Sequence, residues 1–330
     1  MTLSRREILA AGAGSALLAA LPAAAQATSD DMARLAALAE EWLRLAPEAA
    51  TSLGIDTGPR AALRGQVTMP NRAGYTQRVF WLKGAIVVLE DVVRRGIDPA
   101  AIRTAQVALA AYRTSAEGFD FPYGDVSVAG WRNGPYVVAQ NMGSYLDTPK
   151  FLDGDHPVKT AADADAYLAR LSAWPLQLNF ETEQLAAARG QGVVAPDFIL
   201  DKTLAAIGMT RAEAPAQMLV VTSLATKAAG IPGDWRARAA AIVKDRVMPA
   251  LDRQIAELKT HRAMAKGDAG VWALPQGDVY YAWALRAATT TRMTPEEVHA
   301  EGLRQHADYH RQMDAILTAM GLTQGSVGAR

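Results

Sequence analysis

Apolar side chains recur every three or four residues along almost the whole chain, and that spacing confines it to helical packing. Met32, Leu35, Leu38, Trp42 and Leu45 mark one stripe, behind Ser29 as an N-cap with Asp30 and Asp31 in the first turn. Val79, Leu82, Ile86, Leu89 and Val93 repeat the pattern up to Gly96, a fitting helix end. Asp98-Pro99 opens the next helix, which should bury Ile102, Leu109 and Tyr112. From Thr160 a long helix carries Leu168, Leu171, Leu178 and Leu185 on one face, and Pro175 is expected to kink it. Trp235 to Lys259 is a further amphipathic stretch. Thr210-Arg211-Ala212-Glu213 and Thr294-Pro295-Glu296-Glu297 both have the capping-box form. The expected fold class is all-α, predominantly helical with a few short strands.

Two stretches depart from this period. Residues 118–159 are rich in Gly, Pro and Asp and read as a long ordered connection, with a short strand near Val126–Ala129. Its Trp131-Arg132-Asn133-Gly134-Pro135-Tyr136 centre reads as a surface loop packed by its own aromatics. Val271 to Leu274 is the second strand candidate, leading through Pro275-Gln276-Gly277 to Tyr280-Tyr281.

The amino terminus has a different purpose. Ser4-Arg5-Arg6-Glu7-Ile8-Leu9 pairs two arginines, an uncharged run follows from Ala10 to Leu21, and Ala25-Gln26-Ala27 offers a cleavage site. These parts make a cleavable twin-arginine export signal over residues 1–27. As a helix the uncharged run reaches only about 18 Å, short of the ~30 Å hydrocarbon core. No later stretch is long and apolar enough to suggest a membrane anchor after cleavage. The 34 basic and 34 acidic side chains balance, and losing Arg5, Arg6 and Glu7 shifts the net charge by one. This balance gives no drive toward nucleic acid. With no cysteine, disulfides, thiol catalysis and cysteine ligands are excluded. Residues 28–330 read as one helical domain.

Common catalytic constellations are missing: no phosphate loop, no G-x-S-x-G elbow and no H-E-x-x-H helix. His299, Leu303, His306, His310, Met313, Leu317 and Met320 line one helical stripe. His306 and His310 at i, i+4 could share a metal ion, but Glu301 and Asp308 point off the stripe. The reading is of imidazoles edging a packed seam, with no metal site and no catalytic residue assigned. Tyr280, Tyr281 and Arg286, with Thr289-Thr290-Thr291, form a second group able to hold a carboxylate or oxyanion. On spacing alone it reads as packed aromatics and a solvated arginine.

The order of these motifs resembles the bacterial family called domain of unknown function 885. Pro47-Glu48-Ala49-Ala50-Thr51-Ser52-Leu53-Gly54 is similar to its early helix–turn signature. Tyr167-Leu168-Ala169-Arg170-Leu171 and Gly192-Val193-Val194-Ala195-Pro196 follow in the family's order. So do Leu274-Pro275, Tyr280-Tyr281, Leu285-Arg286, the threonine run, Thr294 to His299, and Gly302-Leu303. The resemblance implies a zincin-like helical scaffold, present incompletely, because such chains are about twice as long and carry a His-Glu zinc motif in their second half. It therefore implies the amino-terminal half of a metallopeptidase-like hydrolase, with no cofactor in this chain and zinc in the complete family member. It offers Tyr280, Tyr281, Arg286 and His299 as substrate contacts for a peptide-like ligand, and a carboxy-terminal half or a second copy as partner. The alternative is a non-catalytic periplasmic helical protein that binds a ligand or partner. Protein recovered from the periplasm should begin at Thr28 by intact mass, and replacing Arg5 and Arg6 together by lysine should stop its export.

Overall fold

A computed structural model describes residues 29–124, 126–128 and 133–330. The export segment and Trp131-Arg132 lie outside the described residues. Within them the protein is all-α: twelve α-helices and no β-ladder, only isolated bridging such as that of Ala139 with Met142.

The first four helices share one apolar cluster. Helix α1 (Asp30–Leu45) starts where Ser29 Oγ accepts from the Met32 N–H, and α2 (Pro47–Ser52) follows directly. Asn71 caps α3 (Arg72–Arg95), and the Asp98 carboxylate caps α4 (Pro99–Gly118). Leu35, Leu43, Leu82, Leu89, Val92 and Tyr112 are buried between them. On α3 the buried face is rotated from the expected stripe. Trp81, Ala85 and Val92 point inward while Val79, Ile86 and Val93 are half-buried. The reason is that α3 packs against both α1 and α4, so its apolar face is set by two partners.

A larger cluster surrounds α6 (Ala161–Gly190), where Leu168, Leu171, Leu178 and Leu185 are all buried as expected. Thr160 and Asp163 close a capping box at its start, and Pro175 sits buried inside the helix. Around it lie α5 (Ser144–Gly154), α7 (Asp197–Ala212), α8 (Leu219–Lys227), α9 (Trp235–Ile242) and α10 (Met248–Met264). A π turn, Val243–Val247, joins α9 to α10 immediately before Pro249. A proline lacks the N–H and crowds the carbonyl four residues back, and the wider turn accommodates both.

Several local expectations are corrected. Residues 126–128 form no strand, and Val271–Ala273 is a single 3-10 turn. The Gly277 backbone presses on the Val271 carbonyl so closely that a Cβ would lie 1.9 Å away, and no neighbouring strand supplies a ladder. Thr210 to Glu213 makes no capping box, because these residues end α7 and the chain then turns at Pro215. Within the connection at 118–159, α5 forms unforeseen. It buries only Ser144, Tyr145 and Leu152 and carries Pro149 inside, so it shows no sustained period.

The two clusters are joined by a buried polar junction. Arg170 of α6 is 1% exposed. Its guanidinium donates to Gln66 O at 2.8 Å, to Leu63 O at 3.0 Å and to His156 Nδ1 at 3.1 Å. Arginine can only donate, so Nδ1 accepts, and Nε2–H is left to donate to Asp163 O at 3.2 Å. Arg64 pairs with Asp56 and Asp163, and Thr51 Oγ1 donates to Asp56. Burial lowers the His156 pKa to about 4, helped by the nearby Arg170, Lys227 and Arg64. Burial also lowers Arg170 to about 10, which leaves it charged at neutral pH.

A histidine held neutral in the fold stabilises it above its unfolded titration point near pH 6.5, and that contribution is lost as pH falls toward 4. The loss from His156 is at most about 3 kcal/mol. Buried His261, also lowered by burial, acts in the same sense. Asp56 and Asp163 are held low by their partners, so their stability is lost only in stronger acid. Urea unfolding should therefore show a midpoint that falls between pH 6.5 and 4, and His156→Gln should reduce that fall while lowering stability at neutral pH.

Candidate functional site

A cleft of about 460 Å³ opens between the two clusters, bounded by α1, α2, the start of α3, α5 and α6. Two carboxylates organise its walls. Glu48 accepts from Thr68 N at 2.9 and 3.0 Å and from Thr68 Oγ1 at 2.8 Å. Glu181, in the middle of α6, accepts from Ser144 N at 2.6 Å and Ser144 Oγ at 2.7 Å, and from Gln254 Nε2 at 3.0 Å. A carboxylate on the first N–H groups of a helix satisfies donors that have no partner within it and favours the positive end of its dipole. Gly143 permits the arrangement, since its φ of 118° lies where a side chain is strained. Ser144 O in turn accepts from Trp174 Nε1 at 2.9 Å.

Trp42, Tyr75, Phe119 and Phe180 give the cleft aromatic surface beside the polar groups. No histidine or lysine lines it among the described residues. Burial pushes the Tyr145 and Tyr136 phenols, which stand outside the cleft lining, up to about 12. The arrangement has the equipment of a binding site: shape, aromatic faces and amide and hydroxyl groups.

The sequence-predicted residues lie along α11 (Gly277–Thr289) and α12 (Pro295–Ala319). Tyr280 is 2% exposed and packs with Phe121, Tyr123 and Trp283. Its hydroxyl stands behind the cleft wall, where a Cβ on cleft-lining Gly124 would fall 3.4 Å from it. Tyr123 Oη donates to Pro275 O at 2.6 Å, tying this aromatic cluster to the turn before α11. Tyr281 faces outward, 48% exposed. Arg286 pairs with Glu117 of α4, and Trp283 Nε1 donates to Thr114 O at 2.7 Å. His299 is exposed on α12, apart from the other three. The structure thus brings Tyr280, Tyr281 and Arg286 onto one helix but directs them to an aromatic core, to solvent and to an ion pair.

The cleft residues Glu48, Ser144 and Glu181 were not singled out from sequence. Gly143-Ser144 ahead of a helix is a readable start signal. Glu181 carries no signal, since a mid-helix glutamate is ordinarily solvated and its partner lies 37 positions away.

Gly118 lets α11 approach α4, because a Cβ there would lie 2.0 Å from Trp283 Cζ2. Gly118→Ala should destabilise the protein by about 1–3 kcal/mol through displaced packing. Arg286→Ala should cost under ~1 kcal/mol, as its pair is solvent-exposed. Urea unfolding followed by tryptophan fluorescence separates the two.

The sequence of residues 47–330 matches a family described as bacterial protein of unknown function, DUF885. The fold is similar to the crystal structure of a protein from Colwellia psychrerythraea described as a putative lipoprotein. The TM-score is 0.74 at 20% identity, over 99% of this chain and 53% of that one. The chain thus spans about half the length of this relative, and at that identity the likeness shows the fold alone. No curated protein matches the chain.

Proposed function

Because the chain belongs to the bacterial family of unknown function DUF885, we propose that it is the amino-terminal part of an exported, metallopeptidase-like hydrolase whose metal-binding half lies outside it. The observation that carries this reading is α12. The helix runs for 25 residues with none buried, although Leu303, Tyr309, Met313 and Ile316 on it and Met320 at its C-cap are large, mainly apolar and exposed. An exposed patch of this kind marks a surface meant for a partner. The length of the relative, about twice that of this chain, makes a carboxy-terminal half the fitting occupant.

The zinc of such an enzyme would be held by the half that lies outside this chain. Among the described residues no three His, Asp or Glu side chains converge on one point. The residues present do not fit a hydrolytic zinc site, and no hydrolytic step is assigned to them. Their contribution is the cleft and the docking face, with exposed Tyr281 and His299 free to reach a peptide-like substrate and Tyr280 and Arg286 holding α11 in place. The twin-arginine signal would carry the protein to the periplasm, and no helix among the described residues is long and apolar enough to cross a membrane.

The cleft supports a second reading, a periplasmic helical protein that binds a ligand without catalysis, since aromatic and hydrogen-bonding groups of the described residues line it together. Co-expression with the carboxy-terminal half of a family member tests the first. Co-purification and zinc-dependent peptide hydrolysis are expected, and Ile316→Glu with Met313→Glu should abolish both while leaving the urea midpoint of the isolated chain unchanged. A monodisperse chain that ignores the second half and unfolds in one steep transition would favour the ligand-binding reading.

A further inference from the structure

Helix α12 carries two imidazoles that no other part of the described protein engages. His306 and His310 are both exposed, one turn apart, and their ring centroids stand 4.3 Å from each other at an interplanar angle of 40°. On the sequence alone these rings were expected to edge a packed seam. In the structure both rings are exposed and touch only each other, and neither forms a hydrogen bond or ion pair among the described residues. The nearby carboxylates are already committed. Glu301 accepts from Arg304 and Gln305, Asp308 accepts from Arg311 and Gln312, and Asp314, one turn after His310, pairs with Arg330. No carboxylate therefore orients or masks the ring nitrogens, which remain open to a Lewis acid.

We propose that His306 and His310 form a two-imidazole chelate for a late first-row divalent cation, with copper(II) preferred over nickel(II) and zinc(II). Two residues at i, i+4 project from the same helix face about 6 Å apart, a separation one ion spans through one nitrogen from each ring. Imidazole suits Cu, Ni and Zn rather than Mg or Ca, and the order of stability puts copper(II) first. The site supplies two donors and leaves the remaining positions to water or to a donor from a docked partner. His299 lies seven residues earlier, about 10 Å along the axis, and cannot join.

The chelate also has a physical consequence for α12. A helix with no buried residue depends mainly on local interactions, and a cation clipping two successive turns stabilises only the helical form. This inference needs residues of α12 alone and does not depend on the reading of the chain as an enzyme half.

Copper(II) titrated into the full mature chain, followed by electron paramagnetic resonance, is expected to show one equivalent bound with equatorial nitrogen ligands. Circular dichroism at the helical minimum should deepen over the same titration. His306→Gln and His310→Gln should each weaken binding about tenfold or more, as loss of one of two donors requires, and His299→Gln should leave it unchanged. Both variants replace exposed side chains, so the urea midpoint of the metal-free chain should not move. Copper uptake that survives both substitutions, or that is lost with His299→Gln, or no uptake at micromolar metal, would overturn the proposal.

Discussion

A single buried cation determines how the helices assemble. The Arg170 guanidinium is taken out of water and can be tolerated only where enough acceptors surround it. Those acceptors are the carbonyls of Leu63 and Gln66, at the end of the 3-10 segment Gly58–Gly65, and the ring of His156. They meet the guanidinium only when the first four helices lie against α6. Arg64 repeats the link at the periphery, joining Asp56 on one side to Asp163 on the other. Truncating Arg170 would strand buried acceptors, a change that costs about 1–3 kcal/mol for each one left unpaired. The junction also fixes the cleft, whose opposite walls come from the two clusters it joins.

At the other end of the chain the balance is reversed. Nothing buries α12, so its helix rests on short-range terms. A capping box closes its first turn, with Thr294 N donating to Glu297 and Glu297 N donating to Thr294 Oγ1. Arginine and glutamine side chains then reach carboxylates three or four residues away along its length. Each such pair contributes only about 0.2–0.5 kcal/mol. A helix held this way stays formed while its apolar side chains remain exposed.

Between these extremes, several polar side chains hold the architecture together. Glu48 and Glu181 hold the backbone of Thr68 and Ser144, and Tyr123 is hydrogen-bonded to the turn before α11. Tyr280 and Arg286, offered by family resemblance as substrate contacts, seat α11 on the aromatic cluster and on α4. A side chain with a polar head and a large apolar body serves such a junction well, because it fills space and satisfies a neighbour together.

The helical class was legible from the apolar spacing, and so were the helix starts at Ser29, Asp98 and Thr294, because caps and 3.6-residue periodicity are local properties. The buried face of α6 was legible for the same reason, its leucines repeating along one side of a helix that is surrounded. The rotation of α3, the formation of α5 and the failure of Val271–Ala273 to extend were decided by contacts with segments far away in sequence. The cleft belongs wholly to that second group. Glu48 and Thr68 are 20 positions apart, and Ser144 and Glu181 are 37 apart. Nothing in either local sequence selects the partner, since a carboxylate is equally satisfied by water until packing removes it. Periodicity and capping thus set which segments are helical, while tertiary packing decided which polar groups lose their water and, through that, where a ligand can bind.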